Sequence, residues 1–166
     1  MSRTRTVPDD RIFSSIQAML EQGGEKAVTF GTVAAATGLA ASTLVQRYGN
    51  LPGMIRAARR AVWDALDQST TAAITGTADK GAQVLLKLLV GFDVGSLVSD
   101  LRDPELRNRA LAWRSRLEAA LADRFGSGER ARESAALLFA AWQGQALWGR
   151  DEESRFKLKD AVKRLG

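Results

Sequence analysis

Residues 30–48 restrict the fold most. Two short helical patterns, 30–36 and 41–48, are joined by the tight turn Thr37-Gly38-Leu39. A glycine-bearing turn this short fixes a steep crossing between the helices it joins. Thr29 is placed to cap the first of them, and Gly49 stops the second. Upstream, a helix starts near Pro8, where proline is tolerated and Asp9 and Asp10 complement the positive helix end. Its apolar residues Ile12, Phe13, Ile16, Met19 and Leu20 recur at helical spacing. Gly23-Gly24 then ends it with a left-handed cap. Val33, Leu39 and Leu44 are expected to fill one small core, with Tyr48 closing it.

The rest of the chain also reads as helix. Asn50 caps a long helix over residues 51–74, with Pro52 in its first turn. A break at residues 75–78 precedes a helix over 80–92, bent or ended near Asp93 by Gly91 and Gly95. After a short segment, 94–101, Asp103-Pro104 starts a helix predicted to reach residue 125. Gly126-Ser127-Gly128 is a loop, followed by an apolar helix over 129–148 and a polar terminal one over 152–165. Alanine and leucine dominate and the three prolines all sit at or near helix starts, a composition that favours helix over strand. The expectation is an all-α chain: a three-helix head (residues 1–50) and an antiparallel helical bundle (51–166), with helix 51–74 connecting them.

The chain of 166 residues has no cysteine and no histidine. That removes disulfides, thiolate metal sites, the commonest general base and the commonest metal ligand. No phosphate-binding glycine loop is present, so the chain is read as neither enzyme nor cofactor carrier. No run of eighteen apolar residues exists, since the longest, 84–90, is broken by Lys87. A soluble, cytoplasmic protein is the expectation. Of the net charge of +5, the first 60 residues carry +4, from eight basic and four acidic side chains. A basic excess concentrated in the N-terminal third suits a polyanionic partner.

The head has the helix-turn-helix pattern, in which one helix crosses the DNA backbone and the next lies in the major groove. The outer faces of helix 41–48 carry Ala41, Ser42, Thr43, Gln46 and Arg47, which with Tyr48 at the helix end are the candidate DNA contacts. These are small or hydrogen-bonding residues, suited to close approach to base edges. Gln matches adenine and Arg matches guanine in bidentate geometry. Thr29, at a helix start, offers its hydroxyl and backbone amides to a phosphate.

Residues 11–55, above all TVAAATGLAASTLVQRYGNLPGMI (32–55), resemble the tetracycline-repressor-like (TetR) regulators without a gap. Val33-Ala34, the turn Gly38-Leu39, Thr43-Leu44 and Tyr48 carry the match. The stretch DPELRNRALAWRSRLEAAL (103–121), with Gly144 in an alanine- and aromatic-rich helix, is similar to the family's regulatory domain. The resemblance implies a homodimeric transcriptional regulator, a ligand-responsive repressor on a palindromic operator in double-stranded DNA. It also implies an effector pocket among the middle helices and a dimer interface from the last two. Three positions depart from the pattern: Val45 replaces a phosphate-binding tyrosine, Leu51 a lysine and Ala40 a capping serine. Arg47, Lys26, Arg56 and the basic residues Arg3 and Arg5 are candidate substitutes.

For a small apolar effector, Leu88, Phe92, Trp113, Phe139 and Trp142 are the candidate lining, although buried aromatics more often fill core. For dimerisation, Leu138, Ala141, Gly144, Gln145 and Trp148 are the candidate self-contact, because small residues let two helices approach closely. The alternative, kept open by Val45 and Leu51, is a helical ligand-binding or protein-interaction protein with degenerate DNA contacts.

Overall fold

A computed structural model describes residues 7–89, 94–148 and 157–165. Nine α-helices and one 3-10 turn, and no strand, occur among these residues. The chain forms two compact units that meet in sequence between Trp63 and Asp64, inside a helix.

The first unit contains α1 (Asp9–Gly23), the 3-10 turn Glu25–Ala27, α2 (Phe30–Thr37), α3 (Ala41–Tyr48) and the start of α4 (Leu51–Gly76). Ile12, Ile16, Val28, Val33, Leu44, Met54 and Ala58 form its fully enclosed core, with Leu39 and Tyr48 packed at the edge. Met54 and Ala58 explain why this unit reaches beyond residue 50: the first turns of α4 supply part of its core. Glycine sets the corners. Gly38 ends α2 in the left-handed region at φ 73°, where a Cβ would crowd the backbone. Gly24 also has positive φ, but at φ 65° and ψ −166° it lies outside the left-handed helical well expected there.

At the next corner Asn50 accepts the Gly53 amide at 2.8 Å, the predicted cap. Gly53 packs so tightly that an added Cβ would lie 2.6 Å from the Tyr48 carbonyl oxygen.

The second unit holds the rest of α4, α5 (Ala82–Leu88), α6 (Val94–Asp100), α7 (Pro104–Ala122), α8 (Glu129–Trp148) and α9 (Leu158–Leu165). α7 packs along α8, and α8 in turn meets α9. The Asp103 carboxylate caps α7 by accepting from the Glu105 and Leu106 amides at 2.9 and 3.2 Å. α4 and α7 are joined by a buried bond from the Trp113 indole to the Thr70 hydroxyl (2.8 Å) and by ion pairs of Arg109 with Asp64 and Arg116 with Asp67.

The expected break at residues 75–78 begins later, because α4 continues through Gly76. Thr71, Thr75 and Thr77 each donate to the carbonyl four residues back, which keeps the hydroxyls within the helix rather than opening a turn. Arg124 then donates to the carbonyls of Ile74 and Thr77 at 3.3 and 3.2 Å, placing a cation at the negative helix end. α5 is shorter than predicted and α7 ends at Ala122, where Asp123, Arg124 and Phe125 turn.

Candidate nucleic-acid interface

α3 separates its faces cleanly. Leu44 is fully enclosed, and Tyr48, one turn later, packs at the core edge. On the other side Ala41, Ser42, Val45, Gln46 and Arg47 are exposed and Thr43 is half-buried. The 3.6-residue period accounts for this: one apolar row is held by the head core, and the remaining rows face outward. Ala40 supplies no side-chain acceptor at the start of α3, as the sequence implied.

Thr29 does cap α2. Its hydroxyl accepts the Thr32 amide at 3.0 Å, while the Thr32 hydroxyl accepts the Thr29 amide at 2.9 Å. The reciprocal pair satisfies two otherwise orphaned amides and fixes the entry of α2. Thr29 remains exposed beside that helix start.

Arg47 does not extend freely from α3. Its Nη1 donates to the Val7 carbonyl at 2.9 Å and to Asp9 Oδ1 at 3.3 Å. The same carboxylate oxygen accepts the Tyr48 hydroxyl at 2.7 Å. Burial, and then this bond to Asp9, push the Tyr48 phenol up to about 12. The Phe13 and Tyr48 rings lie 6.0 Å apart and complete the junction between α1 and α3. Sequence reading treated Asp9 only as a helix-end charge. No local pattern links it to Arg47, which lies 38 positions away.

In the second unit, Trp113, Phe139 and Trp142 cluster with ring centroids 5.9–6.4 Å apart. Trp113 and Phe139 are enclosed core residues and not an accessible lining, and the Trp113 indole is already bonded to Thr70. Leu88 is exposed to solvent, so it too lines no enclosed pocket. Phe92 lies outside the described residues, as do Arg3 and Arg5. Trp142 does border a cleft of about 540 Å³, shared with Gln83, Leu86, Lys87, Gln145 and Leu158.

The dimer candidates need one correction. Leu138 is fully buried inside its own unit and has no surface to offer a second chain. Its neighbour Leu137 is 59% exposed, and Trp148 is 85% exposed. Leu137, Ala141, Gly144 and Trp148 follow one another at spacings of four, three and four, a single stripe along α8. Ala141, Gly144 and Gln145 are half-buried.

Fold and site together define a class: a helix-turn-helix head followed by a helical bundle. No protein-family model matches the sequence, and no curated protein does either. Two solved structures share the fold over nearly their whole length. One is the TetR-family transcriptional regulator PfmR of Thermus thermophilus, with TM-score 0.62 and 15% identity, covering 93% of this chain and 94% of that one. The other is a protein of Rhodococcus sp. described as a TetR-family transcriptional regulator, with TM-score 0.61 and 20% identity, covering 95% and 93%. The fold is therefore that of TetR-family regulators, and it is all-α as the helix patterns along the whole chain led one to expect. No helix among the described residues is long and apolar enough to cross a membrane.

Proposed function

We propose that this chain is a TetR-like DNA-binding transcriptional regulator that works as a homodimer on a palindromic operator. The observation that carries the reading is the outward face of α3: Ala41, Ser42, Gln46 and Arg47 are exposed on a helix anchored by Leu44. Such a helix fits the major groove, with Gln46 and Arg47 suited to adenine and guanine and Thr29 to the backbone. The shared fold supports it, since both solved relatives are described as transcriptional regulators.

The α8 stripe of Leu137, Ala141, Gly144 and Trp148 is the proposed self-contact, a patch that meets its own copy across a two-fold axis. Pairing would present two α3 helices to half-sites about 34–36 Å apart. An effector bound beside Trp142 and Lys87 would relieve repression by preferring one of two dimer arrangements. The regulator would act in the cytoplasm, where its operator lies.

Selection from a library of genomic fragments tests the reading. A regulator enriches a palindrome, with affinity falling steeply as salt rises. The rival, a helical binding protein without DNA contacts, draws on the apolar Val45, 43% exposed where the family pattern has a phosphate-binding tyrosine. Enrichment of no sequence at low salt would favour that rival.

A further inference from the structure

The tie between α1 and α3 has a polar design that packing alone does not require. Two acceptors from the start of α1, the Val7 carbonyl and the Asp9 carboxylate, converge on one nitrogen of Arg47. The Tyr48 hydroxyl holds that carboxylate from the other side, at 2.7 Å. The Arg47 guanidinium also lies within reach of the Tyr48 hydroxyl, so Asp9, Tyr48 and Arg47 form one polar cluster. A guanidinium is a rigid planar fork, so anchoring it at one nitrogen restricts the direction of its other N–H groups. Bidentate reading of guanine needs N–H groups so directed, whereas a freely swinging arginine also finds the nearest phosphate.

We infer that Asp9 is a specificity-determining residue of the head: with Tyr48 it holds Arg47 in the orientation that reads a base, and keeps it from the phosphate backbone. This rests on the DNA-binding reading above and names a regulator of its selectivity. Asp9 itself touches no base. It acts through Arg47, and its negative charge lowers affinity for DNA of any sequence while sharpening the choice among sequences.

The test compares the full-length wild-type chain with D9A, D9N and R47K by enrichment from randomised duplexes. Salt-dependent binding to an unrelated duplex is measured in parallel, and thermal melting shows that each variant is folded. D9N keeps an oxygen for the Tyr48 hydroxyl, so it carries the test if D9A fails to fold. Expected is a loss of preference at one base pair per half-site, at the same position in R47K and D9A by about fivefold or more, and a smaller loss there in D9N, whose amide oxygen still accepts from Arg47 without the charge. Affinity for the unrelated duplex rises in D9A and D9N. An Asp9 variant that binds all duplexes more tightly yet keeps the wild-type base preference overturns the inference, since Asp9 would then be only a repelling charge. A wild-type chain that selects no sequence overturns the DNA-binding reading itself, and the inference with it.

Discussion

Single residues at the α3–α4 corner have effects that propensity alone would misjudge. Gly53 lies within α4, where alanine normally outranks glycine by about 1 kcal/mol. Here the new Cβ would meet the Tyr48 carbonyl oxygen at 2.6 Å, and backbone cannot step aside as a flexible side chain does. Gly53→Ala should therefore lose about 1–3 kcal/mol in urea denaturation. An unchanged or raised midpoint would contradict the crowding.

Tyr48 is the only tyrosine in the chain, so its titration is visible directly in the absorbance of the phenolate. Its midpoint should lie near 12 in the folded protein, against about 10 when unfolded. The folded state then holds a proton that the unfolded state has released. This contribution to stability is complete below about pH 10 and is lost as pH rises towards 12. Tyr48→Phe should flatten that part of the stability profile, and an identical slope in the variant would count against the raised phenol of Tyr48.

At the scale of elements, α4 depends on a neighbour to end it. Arg124 binds the Ile74 and Thr77 carbonyls and the Thr77 hydroxyl, while partial burial pulls its own ionisation below the usual arginine range. Arg124→Met keeps the length of the side chain but removes the donors. A cost of about 1–3 kcal/mol is expected, the range for hydrogen bonds from a charged group. Arg124→Lys should restore only part, because one ammonium cannot serve both the α4 end, held by Nη2, and the Ala120 carbonyl, held by Nη1. Full recovery by lysine would show that charge alone matters there.

The head was legible because its corners are written in glycine and in capping residues, which act locally. α3 begins and ends at the predicted residues, and Asn50 caps as read. The bundle was less legible. Threonines carried α4 past its expected break, and α8 is so rich in alanine and leucine that its apolar period has no clear phase. Hence Leu138 was chosen where Leu137 is the outward residue, a rotation of about 100°. The Arg47–Asp9 tie was invisible because it is purely tertiary.

For the whole molecule, the proposed self-contact along α8 makes a prediction about assembly. An exposed Leu137 beside small residues is a surface that association would cover. Leu137→Glu places like charges face to face across a two-fold axis. Sedimentation should show a pair for the wild type and a single chain for the variant, with the far-ultraviolet helix signal unchanged. A variant that still pairs would move the interface elsewhere.

Trp148 extends this to optics. Its indole is 85% exposed on the isolated chain, whereas Trp63 and Trp113 are buried. Were the proposed α8 contact to form, it would cover this indole, and Trp148 emission would report association. On dilution through the dissociation midpoint the spectrum should move to longer wavelength and become open to acrylamide quenching, and Trp148→Phe should abolish both changes.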